Sequence, residues 1–393
     1  MDEIMSILTE SLDVQKFDTT ILNKRQKMNI YSLEIQYEAA WALMNIIANK
    51  KSEQIQALFT PKVIIALIKL FDSTSDVSVA NQVLLAIGNV IAENPGLCYQ
   101  CIYLGVIPSL VKQMMNFLAN EEFIRTLSWV MANICHVKDQ PTFSETGYDL
   151  LPISYQIVTK KDSETVANSI WALTYLTDDG LDVLMNFEKS VIRDIVPHLT
   201  SSNIELKSAS LHLLANIACG NDELTNSIIK YGTLKHLGKF LTGSNKEFKR
   251  EAAWMLSNIL AGTKKQIDAV FKAGLVQPLI ELLNSDMEKI QEKAVWAITN
   301  IPLCGAKHHV FQLLDMDIIP PFCQCLNASR PYIVESTLEG IKMILEQCHE
   351  RKKEVCRKLI ECGAVENIKR HEKEGNKRAQ EHTRKIISEY FTN

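Results

Sequence analysis

The sequence has no run of about 18 or more apolar residues, so we expect no transmembrane helix. It begins Met1-Asp-Glu-Ile, without the basic and apolar segments of a secretory signal. Its ten cysteines show no regular spacing, which indicates a reducing compartment rather than a disulfide framework. The sequence therefore predicts a cytosolic or nuclear protein.

Sequence signatures of catalysis are also missing, because no glycine-rich phosphate loop, nucleophile elbow or HExxH motif occurs. The CxxC at Cys98–Cys101 has no second pair at zinc spacing. We interpret it as packing, and we interpret Cys323–Cys325 and the His308–His309 pair as packing and surface residues. The expectation is a protein that is not an enzyme and that holds no cofactor and no metal.

A strong charge of either sign is absent, since 42 Lys and Arg against 46 Asp and Glu give a formal net charge of −4. Direct nucleic-acid binding requires a basic footprint, so neither nucleic acid nor membrane is expected as a partner. Hydrophobic residues make up 47% and charged residues 22%, which is typical of a folded protein. A chain of 393 residues is too long for one compact core, so we expect an extended or multi-domain fold.

Tryptophan is scarce, with five residues, and its placement is regular. The stretch from Arg250 to Asn300 holds two near-copies of one phrase, Glu251-Ala-Ala-Trp254-Met-Leu-Ser-Asn258 and Lys293-Ala-Val-Trp296-Ala-Ile-Thr-Asn300. The copies are 42 residues apart (296 − 254). Positions i and i+4 of a helix share one face, so each phrase presents an indole beside a carboxamide.

The same position recurs along the chain, at Asn45, Asn89, Asn133, Tyr175, Asn216, Asn258 and Asn300. The spacings lie between 41 residues (216 − 175) and 44 residues (89 − 45), the period of armadillo or HEAT repeats. A second helix often opened by glycine and a short third segment recur between these markers, which favours the three-helix armadillo unit. A weaker copy follows at Ser336–Met343.

The fold class predicted is all-α: a right-handed armadillo-repeat superhelix, or solenoid, of about eight to nine three-helix repeats with a concave peptide-binding groove. Residues 1–33 are expected to form a short, partly disordered N-terminal extension. Residues 34–393 are expected to form the armadillo-repeat domain, ending in a polar capping repeat.

The recurring tryptophans have two interpretations, core packing or a binding groove. All five lie four residues before a marker, and the partner is Asn or Tyr, so this face is not a dry core. Neighbouring indoles could hold Lys or Arg stems with the cation over a ring. Asn could pair with the backbone of an extended peptide. Acids near the markers that could select cations are Glu93, Asp178, Asp222 and Glu251.

The phrases that carry a family resemblance are Tyr37–Asn45, Ser128–Asn133, Ile170–Asp178 and Arg250–Gly262. They resemble importin alpha (karyopherin alpha), the armadillo-repeat nuclear import adaptor, and the resemblance runs from about Glu34 to Phe391. It implies an adaptor that shuttles between cytoplasm and nucleus. The partners it implies are cargo proteins with basic nuclear localisation signals, importin beta and an export receptor.

The resemblance also implies two peptide-binding sites. The larger site would include Trp41, Asn45, Asn89, Glu93, Trp129, Asn133, Trp171 and Tyr175. The smaller site would include Asn216, Gly220, Asp222, Thr225, Glu251, Trp254, Asn258, Trp296 and Asn300. No catalytic residue is implied.

Departures from the family pattern fall mostly in the larger site. Leu85 stands in place of a Trp, Asn168 in place of an Asp, and residues 49–51 add two lysines. We therefore hypothesise that the larger site is weakened. In the smaller site, Lys293 stands where the family tends to place Glu.

His136 and His212 occupy positions that are usually Arg in the family. The region before Glu34 contains only four cations, at Lys16, Lys24, Arg25 and Lys27. The family's importin-beta-binding segment is expected to be reduced, lost, or clipped by the start of the sequence. A generic armadillo scaffold that binds another extended peptide remains the alternative function.

Overall fold

The computed structural model describes residues 2–12, 22–48, 52–137, 143–178 and 181–391. Within these ranges every regular element is helical and no strand occurs, which confirms the predicted all-α class. No helix in the described ranges is long and apolar enough to cross a bilayer. The predictions for Lys16 and for residues 49–51 lie outside the described residues.

The chain divides into two compact units, residues 1–183 with 201–210, and residues 184–200 with 211–393. The helices of the first unit are α1 (Asp2–Ser11), α2 (Leu22–Ala48), α3 (Ser52–Leu58), α4 (Pro61–Ser73), α5 (Val77–Glu93), α6 (Pro95–Tyr103), α7 (Val106–Phe117), α8 (Glu121–His136), α9 (Phe143–Ile157) and α10 (Ser163–Asp178). Helix α2 runs through the predicted domain boundary at residues 33 and 34, and that boundary stays a prediction.

Helices α11 (Leu181–Met185) and α13 (Ile204–Ile217) have residues in both units, and α12 (Ser190–Ile195) belongs to the second. The remaining helices of the second unit are α14 (Asp222–Lys230), α15 (Leu234–Thr242), α16 (Lys246–Leu260), α17 (Lys264–Lys272), α18 (Val276–Leu282), α19 (Glu288–Cys304), α20 (Lys307–Asp315), α21 (Ile319–Gln324), α22 (Pro331–Gln347), α23 (Lys352–Glu361), α24 (Ala364–Glu374) and α25 (Lys377–Tyr390). Short 3₁₀ segments lie at Val196–Thr200, Cys325–Asn327 and His349–Arg351.

The longest helix of most repeats, which we call the third helix, begins at an Asn or Asp. The side-chain oxygen of that residue accepts hydrogen bonds from backbone N–H groups in the first turn, which have no partner inside the helix. These capping residues are Asp76, Asn120, Asp162, Asn203, Asn245 and Asn376. Local sequence therefore sets where each of these third helices starts.

The short first helix and the second helix of a repeat meet at a left-handed residue. Glycine occupies this joint at positions 105, 232, 274 and 363, with φ between 70° and 91°. Asp317 takes the same place with φ of 53° and is the only non-glycine residue with positive φ in the described ranges. Glycine adopts this conformation without the steric cost that a Cβ brings, which explains the glycine that opens the second helix in the sequence.

In the first unit, the third helices α2, α5, α8 and α10 pack one upon the next. Phe71 and Phe123 are fully buried and stack with ring centroids 6.3 Å apart, which joins neighbouring repeats. In the second unit, α16, α19, α22 and α25 form the same succession. There the hydroxyl of Thr299 donates to the carbonyl of Ser336 in the next repeat at 3.0 Å. Each repeat thus completes its core on its neighbour.

Candidate peptide-binding site

The recurring tryptophans lie on the surface side of the third helices. Trp41 is 48% exposed and the other four are half-buried, whereas the residues that precede and follow Trp254 in α16 are fully buried. An indole held at the rim of a helix face offers one ring surface to solvent. This placement favours a binding face over core packing.

The amides of the first unit are held by their own helices. Asn45 Nδ2 donates to the carbonyl of Trp41 at 3.0 Å, and Asn133 Nδ2 donates to the carbonyl of Trp129 at 3.0 Å. A carbonyl oxygen can only accept, so the chemistry fixes which end of each amide faces the helix. Asn89, at the same position in α5, is also half-buried.

The amides of the second unit reach back to the preceding repeat. Asn300 Nδ2 donates to the carbonyl of Ser257 at 2.9 Å. Asn258 Nδ2 lies 3.4 Å from the carbonyl oxygen of Ala215 and 2.9 Å from Cys219 Sγ. These bonds tie consecutive third helices together and hold both carboxamides in a defined orientation.

Aromatic rings cluster around Tyr175 in the first unit. Trp171 stacks on Tyr175 with centroids 5.7 Å apart and an interplanar angle of 22°. The His136 ring lies 4.9 Å from the Tyr175 ring. In the second unit, His212 meets the edge of Trp254 at 6.0 Å. His136 and His212, which stand at positions that are usually Arg in the family, thus each contact an aromatic residue among the recurring Trp and Asn or Tyr positions, which we call the Trp and Asn ladder.

Glu251 is the one buried acid among the four candidates named from sequence. It precedes Trp254 by three residues on α16 and is 7% exposed. Its Oε1 accepts from Arg250 Nη2 at 2.7 Å and from Arg250 Nε at 3.2 Å. Its Oε2 is buried and has no hydrogen-bond partner among the described residues, and His212 Nδ1 lies 3.8 Å away. A buried carboxylate oxygen without a donor is costly, so it favours a cationic ligand.

The remaining acids lie at helix ends and are exposed. Glu93 ends α5, Asp178 ends α10 and Asp222 begins α14. Exposed carboxylates contribute long-range attraction that salt screens, rather than a built pocket.

Three members of the predicted smaller site have structural roles. Asn216 is 2% exposed and Thr225 is 4% exposed, and the Thr225 hydroxyl donates to the carbonyl of Asn221 at 3.3 Å. Gly220 precedes the cap of α14, where a Cβ would lie 2.7 Å from Leu224 Cδ1. None of these three presents a side chain to the surface.

One residue that sequence reasoning missed is Gly88 in α5. A Cβ at this position would lie 2.4 Å from Cζ3 of Trp129 and 2.6 Å from Val130 Cγ2. The Trp129 ring therefore rests on the bare backbone of the preceding repeat. A glycine one residue before the marker Asn89 is the sequence signal that could have indicated this contact.

The cysteine pair of the CxxC is buried in the first unit. Burial raises the pKa of both Cys98 and Cys101 to about 12, so these thiols are protonated near neutral pH. Protonated, buried thiols serve packing rather than metal or redox chemistry.

Asp268, His308 and His309 come together beside α17 and α20, which the sequence did not predict. His309 Nδ1 accepts from the backbone N–H of Ala306 at 2.9 Å, so Nε2 carries the proton and donates to Asp268 Oδ1 at 2.9 Å. Burial lowers the pKa of His309. The arrangement caps α20 and leaves Nε2 without a lone pair for a metal.

Comparison with known proteins assigns the class of fold. The family model described as Armadillo/beta-catenin-like repeat matches residues 221–261 and 263–301. An engineered protein of known crystal structure has a TM-score of 0.79 at 21% identity, covering 99% of this chain and 95% of that one. Residues 221–301 therefore match armadillo repeats, and the chain has the fold of an armadillo-repeat solenoid.

The curated relatives are importin alpha subunits, which confirms the resemblance expected from sequence. The chain is 29% identical over 204 residues to importin subunit alpha-1b of Oryza sativa subsp. japonica, covering 51% of this chain and 37% of that protein. It is 28% identical over 216 residues to importin subunit alpha-2 of Caenorhabditis elegans, covering 54% of this chain and 40% of that protein. The match thus spans about two fifths of the relatives' length.

A designed armadillo repeat protein solved in complex with the peptide (KR)4 is also similar. It has a TM-score of 0.56 at 25% identity and covers 61% of this chain and 98% of its own length.

Proposed function

We propose that this protein binds extended, lysine- and arginine-rich peptide segments on the faces lined by its recurring Trp and Asn residues. The observation that carries the proposal is Glu251 Oε2, a buried carboxylate oxygen without a hydrogen-bond donor, three residues before Trp254. A Lys or Arg side chain lying on the indole would bring a cationic N–H to that oxygen. The bond would be charge-assisted and would remove the cost of the unpartnered oxygen.

The anchored amides support binding along a peptide backbone. In each of three amides, Nδ2 donates a hydrogen bond to a backbone carbonyl of the protein: Asn133, Asn258 and Asn300. This bond fixes the plane of the amide before a ligand binds. Each amide oxygen, and the second N–H of Asn133 and Asn300, could then pair with an extended backbone without reading its side chains. Pre-orientation of this kind lowers the entropy lost on binding.

Nuclear import is the biological role we propose for this peptide binding. The basic segments would be nuclear localisation signals of cargo proteins, and the chain would link cargo to importin beta and return through an export receptor, shuttling between cytoplasm and nucleus. The importin alpha relatives and the designed protein bound to (KR)4 support this role. A generic armadillo scaffold with another extended ligand is the alternative.

Fluorescence anisotropy with a labelled lysine-rich signal peptide and an acidic peptide of equal length tests the peptide specificity. We expect saturable binding of the basic peptide, weakened in Glu251→Gln, with no binding of the acidic one. Binding of the acidic peptide instead would favour the scaffold alternative.

The link to import is tested by capture of importin beta. The full chain is compared with a variant in which Lys24, Arg25 and Lys27 are each replaced by Glu.

A further inference from the structure

Lys293 occupies the position in α19 that Glu251 occupies in α16. The two residues are 42 apart (293 − 251), as are Trp254 and Trp296 (296 − 254). The same place beside two consecutive indoles therefore carries opposite charge. This reversal is the starting point for an inference that rests on the proposed peptide binding and specifies its ligand.

Lys293 lies over the indole of its own repeat. Its Nζ is 3.9 Å from the centroid of the Trp296 ring, well within the range of a cation–π contact. The Lys293 side chain is 20% exposed, so it is held against the protein rather than extended into solvent. The ring face that could receive a ligand cation is thus covered by an ammonium group of the chain itself.

A network reaching into the next repeat holds Lys293 in place. Its Nζ lies 3.3 Å from Glu292 Oε1. Glu292 is 8% exposed, and its Oε2 accepts from Tyr332 at 2.9 Å and lies 3.4 Å from Arg330 Nη1. Arg330 is anchored in turn by Glu288 at 2.8 Å. Arg330 and Tyr332 face Oε2, so moving Lys293 away would leave the buried Oε1 of Glu292 without its ammonium partner.

We propose that Lys293 makes the Trp296 site reject basic side chains and accept acidic or uncharged ones, while the neighbouring Trp254 site selects a cation through Glu251. The preferred ligand is then a lysine-anchored peptide of mixed charge rather than a uniformly basic one. Packed helices lie roughly 8–10 Å apart and an extended peptide advances about 3.3 Å per residue. The two sites are therefore read by residues two or three positions apart.

Peptides with one central lysine test this, with glutamate, glutamine or lysine placed at the second and third positions on both sides of it. The symmetric design makes the result independent of the direction in which the peptide lies. For the full wild-type chain we expect the glutamate peptide to bind about three- to tenfold more tightly than the lysine peptide, with glutamine between them. Lys293→Met should remove most of this discrimination and Lys293→Glu should reverse it.

Lys289 provides a matched control, because it lies on α19 one turn before Lys293 and is exposed. Lys289→Met changes the net charge equally and should retain the order of the three peptides. Tighter wild-type binding of the lysine-flanked peptide, or unchanged discrimination in Lys293→Met, would overturn the proposal while leaving lysine binding intact. If no peptide binds the wild-type chain, the proposed function fails and the charge pattern fails with it.

Fluorescence quenching provides a readout that needs no peptide. The Trp296 signal is obtained as the difference between each protein and its Trp296→Phe counterpart. With Lys293 over the ring, the ratio of iodide quenching to caesium quenching should be higher in the wild-type chain than in Lys293→Met. An equal ratio in the two proteins would show that Lys293 does not cover the ring in solution, which overturns the proposal by itself.

Discussion

The two units carry the same Trp and Asn ladder but support it differently. In the first unit, the amides of Asn45 and Asn133 bond within their own helices, whereas Asn258 and Asn300 of the second unit bond to the preceding repeat. Only the second unit places a buried, donor-less carboxylate oxygen beside an indole, among the described residues. The same sequence phrase therefore anchors its amide within one helix in the first unit and across two helices in the second.

The largest effect that would sharpen this comparison is expected at Gly88 in the first unit. Gly88→Ala places a methyl group within 2.4 Å of the Trp129 ring, and such overpacking should cost about 2–3 kcal/mol. Gly238→Ala is the matched control in the second unit, since its Cβ would meet nothing nearer than 3.7 Å. We expect the control to stabilise slightly through helix propensity. Thermal unfolding midpoints measure both, and equal shifts would contradict the packing described for Trp129.

A second prediction compares ligand binding by the two units. Trp254→Ala should weaken binding of a single-cluster lysine-rich peptide about thirtyfold, because it removes the indole beside Glu251. Trp129→Ala should have a smaller effect, in line with the hypothesis of a weakened larger site. Anisotropy titration of both variants under one salt condition gives the comparison. A much greater loss from Trp129→Ala would reverse the ranking of the sites.

A third prediction concerns the amides without any ligand. Asn258→Ala removes a bond between consecutive third helices and should lower stability by about 1 kcal/mol. Asn133→Ala removes a hydrogen bond within one helix and should lower stability by less, since the carbonyl of Trp129 remains part of the same helix. Chemical denaturation followed by circular dichroism measures both variants. Equal losses would show that the cross-link in the second unit adds nothing.

The smallest effect is expected from pH, through the cap formed by His309 in the second unit. Burial lowers the pKa of His309 below its ordinary value of about 6.5, so the unfolded chain takes up a proton before the folded one. Stability should therefore fall by less than about 1 kcal/mol as pH decreases through that value, until folded His309 also titrates. His309→Gln should flatten the profile relative to wild type, whereas the exposed His308→Gln should retain it.

Much of the fold could be predicted from the sequence because it depends on local rules. The repeat period, the Asn and Asp caps and the glycine joints are set by helix geometry and left-handed backbone preference. Whether an Asn amide bonds to its own helix or to the preceding one depends on the distance between the helices. The repeat period does not give that distance, so the amide partner could not be predicted from the sequence. For the same reason the burial of Glu251 and the ring contact of Lys293 could not be read from sequence alone.

The left-handed joints also bear on how such a chain can change length. Joints at 232, 274, 317 and 363 are separated by 42, 43 and 46 residues (274 − 232, 317 − 274, 363 − 317). The longest interval contains two 3₁₀ segments, Cys325–Asn327 and His349–Arg351, so extra residues are taken up between joints while the joint itself keeps a left-handed conformation. Each joint is thus a suitable position at which to join repeats from different chains. Segments that run from one joint to the next could be exchanged, and a library of such recombined chains could vary the charge beside each indole one repeat at a time.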